Sequence, residues 1–115
     1  MIIIARENRE AQATVLEFIG KIDAQACVDL DEALGELLGN TSARVVIDLS
    51  RVSHMGSQAI GILVRHFMRT AERRGSQMRL AGMNVMIEQM LRIAGMDKIM
   101  PLHATVEGAL AEMRV

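Results

Sequence analysis

Aromatic side chains are almost missing from this sequence. Phe18 and Phe67 stand alone, with no Trp and no Tyr, so platforms for stacking bases or sugars are not expected. Cys27 is the only cysteine, which excludes an intramolecular disulfide and a cysteine metal cluster. A reducing, cytoplasmic location follows as the expectation. Long apolar runs are absent too. The longest without glycine, Met1 to Ala5, falls far short of the roughly 20 residues that cross a bilayer. It also lacks a basic lead-in and a small-residue cleavage site, so neither a membrane span nor a signal peptide is expected. Nor is there an excess of positive charge. Lys and Arg number 13 against 14 Asp and Glu, a net charge of −1, which removes the general argument for nucleic acid.

What is present describes a globular chain. Half of its 115 residues are hydrophobic and 23% are charged, enough for one core and one domain spanning residues 1–115. Ten methionines fill the volume that aromatics usually take.

The apolar residues change period along the chain, and each change marks an element. Ile2 to Ile4 reads as a short strand and Ala13 to Ile19 as a second, with a hairpin between them. Gly20 to Asp23 closes that strand, and Asp23 is placed to cap a helix carrying Cys27, Leu30, Leu34, Leu37 and Leu38 on one face. Gly39-Asn40 supplies the stop. Val45 to Leu49 suits a strand buried on both faces, and Ser50 to Gly56 reads as a polar loop. Ile60, Leu63, Val64, Phe67, Met68 and Ala71 keep helical spacing, with Ser57 at the N-cap and Gly75 just past the end. His66 lies off that stripe and is expected to tolerate alanine. Gln77 to Ala81 reads as a strand, and Asn84 caps a helix with Ile87, Met90, Leu91 and Ala94 inward, stopped by Gly95. Lys98 to Met100 reads as an edge strand ended by Pro101, and Thr105 caps a last helix. The order β-β-α-β-α-β-α-β-α predicts an α/β fold with a mixed, mostly parallel sheet of about five strands and four helices.

Few residues can carry chemistry. His54, His66 and His103 fall in three different elements without ligand spacing, so they read as surface or loop histidines and no metal or cofactor is expected. Ser57 sits at a strand–loop–helix junction, but Gly56-Ser57-Gln58-Ala59 lacks the flanking pattern of a hydrolase nucleophile. Cys27 lies on the apolar stripe of its helix and reads as packing rather than redox chemistry. Gly56 and Gly61 flank a helix start, yet no Gly-x-x-x-x-Gly-Lys motif accompanies them. A covalent phosphate on Ser57 would need only that helix end. Charge is unevenly shared. Residues 23–36 hold Asp23, Asp29, Asp31, Glu32 and Glu36 without a base, whereas residues 65–79 hold Arg65, Arg69, Arg73, Arg74 and Arg79 against Glu72 alone. Either two helix faces attract each other weakly, or a dipolar surface steers a partner.

Five segments then occur in a distinctive order over nearly the whole chain. Gly20-Lys-Ile-Asp23 precedes a helix, Val45-Val-Ile-Asp-Leu-Ser50 follows, and the loop Val52-Ser-His-Met-Gly-Ser-Gln-Ala-Ile-Gly61 comes next. Gly75-Ser-Gln-Met-Arg-Leu80 and Glu107-Gly-Ala-Leu110 complete the set. Together they resemble the STAS domain (sulfate transporter and anti-sigma-factor antagonist), most closely the stand-alone bacterial antagonists of anti-sigma factors. The resemblance implies a non-enzymatic binding module docked by an anti-sigma serine kinase, switched by phosphorylation of Ser57 and reset by a protein phosphatase. It also implies a partner-binding surface at Asp23, His54, Met55, Gly56 and Gln58. The family loop typically reads Met-Asp-Ser-Ser/Thr-Gly-Leu-Gly, so Gly56 removes an acidic residue and Gln58 a second hydroxyl. Ala59 and Ile60 replace Gly and Leu. Two alternatives stay open: a STAS scaffold or transporter-complex subunit with no phosphate cycle, and a small hydrolase or phosphotransfer protein using Ser57 or His54.

Overall fold

A computed structural model describes residues 1–39 and 43–113. Strands β1 (Ile2–Asn8) and β2 (Ala13–Ile22) form an antiparallel hairpin, with Ile2 opposite Ile19 and Asn8 opposite Ala13. Its turn is tied by the Ala11 amide, which donates to Asn8 Oδ1 at 2.9 Å. Helix α1 (Ala24–Leu38), strand β3 (Arg44–Met55), helix α2 (Ser57–Ala71), strand β4 (Gln77–Ala81) and helix α3 (Val85–Ile93) follow. Strand β5 (Leu102–His103) and helix α4 (Val106–Met113) complete the chain. The sheet order is β1-β2-β3-β4-β5, and every pair after the hairpin is parallel.

The three strand–helix–strand crossovers all step the same way across the sheet, so right-handed connections put α1, α2 and α3 on one face. Phe18, Leu30, Leu34, Ile47, Leu63, Leu80 and Leu91 are fully buried in the core they share. Helix α4 covers the other face over Ala13, Val15, Val46 and Ala81. Small side chains there let it lie close, and Arg44 ties it down by donating to the carbonyls of Ala11 and Met113.

Three expectations are corrected. Residues 50–55 are not a loop, because β3 runs on to Met55 and pairs with the tail of β2, Val52 opposite Gly20 and Met55 opposite Ile22. The stretch is polar because Ser50, Arg51, Ser53 and His54 are exposed, while Val52 and Met55 turn into the core. Lys98 to Met100 is not a strand. Gly95, with φ of +80°, ends α3 and opens a 3₁₀ turn over Met96–Lys98, and Pro101 precedes β5 instead of ending it. The Pro101 carbonyl accepts from Leu80 N–H at 3.3 Å, a ladder bond that needs no proline donor. Of the expected stop after α1, Gly39 is the C-cap and Asn40 lies outside the described residues.

The third correction is the phase of α2. Its buried residues are Ala59, Ile62, Leu63, His66 and Thr70, whereas Ile60, Val64 and Phe67 are half-buried and Met68 and Ala71 exposed. The helix packs on α1 as well as on the sheet, and polar side chains that find partners can face that way. Thr70 Oγ1 donates to the Phe67 carbonyl at 2.7 Å. His66, only 2% exposed, donates from Nε2 to Asp31 Oδ1 on α1 at 2.7 Å. Arg65 pairs with the same carboxylate, and Arg73 donates to the Leu38 carbonyl at 2.9 Å. Part of the basic run on α2 therefore faces the acidic run on α1. The hydrogen bond from His66, then that from Arg65, holds the Asp31 carboxyl below its ordinary value.

Leu63→Ala should cost about 2–5 kcal/mol by opening a cavity. His66→Ala should also destabilise, by about 1–3 kcal/mol, since it strips a buried contact and a bond to a carboxylate. Urea unfolding reads both, and a neutral His66→Ala would contradict the lock between α1 and α2. The stabilisation from Asp31 is present at neutral pH, because its folded pKa lies below the unfolded one, and is lost as acidification passes down through the folded value. Unfolding curves of wild type and Asp31→Asn should therefore converge as pH falls below about 4.

Candidate functional site

Strands β2 and β3 run parallel and end level, with Lys21 opposite His54 and Ile22 opposite Met55. Each leads at once into a helix, so two strand-to-helix junctions stand side by side. At the first, Asp23 is extended (φ −86°, ψ −171°) and its Oδ1 accepts from the Ala26 amide at 2.9 Å, the expected N-cap of α1. At the second, the N-cap is Gly56 rather than Ser57. Gly56 has φ −109° and ψ −175°, its carbonyl accepts from Ile60 N–H at 3.3 Å, and Ser57 is the first residue inside α2. With no side chain at Gly56, no side-chain hydrogen bond caps this helix. The positive end of its dipole and its first amides are left to solvent or to a ligand.

The junctions enclose an open depression of about 440 Å³. Asp23, His54, Met55, Gly56, Ser57 and Gln58, the six residues singled out from the sequence, all line it. Met55 is buried and anchors the junction from the core; the other five are exposed. Lys21 and Cys27 line it as well and were not selected from the sequence. Lys21 stood in plain view beside Asp23, but only the strand register brings it to His54.

The chemistry at this place is limited. His54 Nδ1 lies 3.1 Å from Ser53 Oγ, so the ring turns to its neighbour and not to Ser57. Among the described residues Ser57 Oγ has no hydrogen-bond partner, and no base is set to activate it. Cys27 is buried, and burial first, then the nearby Asp23 charge, pushes its thiol up, which keeps it protonated and unreactive. The other histidines lie elsewhere. His66 is in the α1–α2 contact, and the ring of His103 packs by Arg79 and Glu112, its pKa pushed down chiefly by burial. No group of three or more His, Cys, Asp or Glu among the described residues is arranged to hold a metal ion. What the arrangement offers is an exposed hydroxyl on an uncapped helix end, between a lysine, a histidine and a carboxylate.

A Cβ built on Gly56 meets no atom within 4 Å, and its backbone angles suit any residue. Glycine is thus not a requirement of the fold at this position. Gly56→Asp should supply the missing cap and reduce the freedom of the unfolded chain, raising stability by about 0.5–1 kcal/mol. A higher urea midpoint at unchanged slope is the expected result, and a lower one would mean that this junction does not accept a carboxylate.

The chain is similar to known proteins in sequence and fold. A family model described as the STAS domain matches residues 3–109. The anti-sigma-F factor antagonist RsfB of Mycobacterium tuberculosis is 30% identical over 102 residues, which is 87% of this chain and 80% of that protein. The crystal structure of an anti-sigma factor antagonist from Mycobacterium paratuberculosis superposes with a TM-score of 0.87 at 22% identity, covering 97% of this chain and 92% of the other. The phosphorylated form of the Bacillus cell fate determinant SpoIIAA superposes with a TM-score of 0.73 at 16% identity, over 98% and 100% of the two chains.

Proposed function

Because the chain belongs to the STAS domain family, we propose that it is an anti-sigma-factor antagonist that works by binding and not by catalysis. The depression at the two junctions is its docking surface, formed by Asp23, His54, Gly56 and Gln58 above the buried Met55. Ser57 is the residue at which an anti-sigma serine kinase phosphorylates it, and a protein phosphatase resets it. The cytoplasm is where these partners would meet it. The observation that carries this reading is the exposed Ser57 hydroxyl on the first residue of α2, free of any partner among the described residues. The named activity of the Mycobacterium tuberculosis relative supports it.

The position explains how a switch would act. A phosphate on the first helical residue gains from the dipole and the open amides, so the fold is kept. The change is felt by the partner, as about −1.5 to −2 units of charge and a bulkier group on the docking surface. Gly56 brings no carboxylate of its own, so the phosphate adds its charge to that of Asp23 alone. Gly56 also favours a second reading, a STAS scaffold with no phosphate cycle, since the family loop typically carries Asp there.

Intact-mass analysis of protein from its native host separates the two, with a fraction carrying one phosphoryl group at Ser57 expected for the antagonist. Ser57→Asp should keep the circular dichroism spectrum and lower affinity for the cognate kinase at least about tenfold, a loss of about 1.4 kcal/mol. Ser57→Ala should bind as wild type does and change stability by no more than about 0.5 kcal/mol, because this serine is not the cap. Equal binding by wild type and Ser57→Asp would remove the switch and leave the scaffold.

A further inference from the structure

We propose that Lys21 and His54 form a basic clasp for the phosphate of phosphorylated Ser57, so that modification withdraws both side chains from the partner as well as adding charge. The inference rests on reading Ser57 as the phosphoacceptor. Lys21 and His54 are direct neighbours across β2 and β3, on strands about 4.8 Å apart, and they line the same depression as Ser57. Two basic groups at that spacing flank one phosphate. Both are available. Lys21 is exposed and has no ion pair among the described residues, and His54 engages Ser53 through Nδ1, leaving Nε2 to the outside.

Among the described residues, Asp23 is the one other charged group that lines the depression. From the start of α1 come Asp23, whose Oδ1 accepts from the Ala26 amide while its negative charge remains in the depression, and the Cys27 thiol, which stays neutral. From α2 come Gln58 and Ala59, both uncharged, and Gly56 adds no side chain. A dianionic phosphate therefore meets two basic groups against a single carboxylate. Before modification the same two groups point outward and suit acidic residues of a partner. Afterwards they turn to the phosphate. Release then comes from internal charge capture together with direct repulsion.

The test uses protein with phosphoserine placed at position 57 during translation, so it needs no kinase. Its outcome is thereby separate from the question of whether Ser57 is modified in the native host. Phosphorus NMR follows the phosphate through a pH titration at low salt. The phosphate should titrate at lower pH in the folded protein than in the urea-unfolded one, because neighbouring cations favour the dianion. Lys21→Gln and His54→Gln should each recover part of that difference and the double variant most of it, since both side chains are exposed and the fold does not depend on them. Arg51→Gln, an exposed base on β3 outside the depression, should leave the titration unchanged. A double variant that titrates like wild type overturns the clasp. So does an Arg51→Gln effect as large as the double variant's, which would show a general field in place of a local contact.

Discussion

The level ending of β2 and β3 is the constraint on which the rest of this structure depends. Parallel pairing carries Lys21 to His54 and Ile22 to Met55, and both strands turn into helices at the next residue or two. An antiparallel or slipped pair would put these junctions at opposite ends or out of reach of one another. Because they end together, an acid-capped helix start and an uncapped one lie side by side, with a lysine and a histidine between them. The register shifts along this strand pair, between Glu17 and Ile19 and again between Gly20 and Lys21, adjust which side chains arrive there.

The helices are held in that arrangement by a polar contact inside an otherwise apolar layer. His66 reaches from α2 to Asp31 on α1, and Arg65 reaches the same carboxylate from the surface. Such a contact specifies one relative placement of two helices more sharply than aliphatic packing, which slides at small cost. The second ring nitrogen of His66, Nδ1, is buried without a partner among the described residues, a local cost that the Nε2 bond offsets. The helix ends that frame the Ser57 depression thus inherit their geometry from a contact more than two turns away.

Asp23 and Gly56 hold equivalent places at the two junctions and differ in chemistry. Asp23 caps its own helix through Oδ1 and still brings its negative charge to the depression. Gly56 uses nothing, although the space around it would admit a side chain. Stability alone would favour an Asp, Ser or Asn there. The glycine instead leaves the first amides of α2 without a side-chain cap and adds no second carboxylate beside Asp23.

Local pattern by itself determined a good deal here. The presence of an opening hairpin, the Asp23 and Asn84 caps, the strand Gln77 to Ala81 and the order of elements all follow from short-range preferences that do not need the fold. The start of α2 near Ser57 was legible for the same reason, and with the surrounding segments it carried the family resemblance. Only the tertiary structure decided the rest. The polar tail of β3 became a strand because β2 offered it a ladder, and a ladder partner cannot be seen in a window of one strand. The face of α2 turned toward α1 because Asp31 could satisfy His66, a partner 35 positions away in the chain. Lys21 joined the site because register placed it beside His54. Ser57 yielded the cap to Gly56 because the backbone, not the side-chain preference, sets where the first helical turn closes. In each case the deciding partner is distant in sequence or lies in the backbone geometry, where composition and periodicity carry no signal.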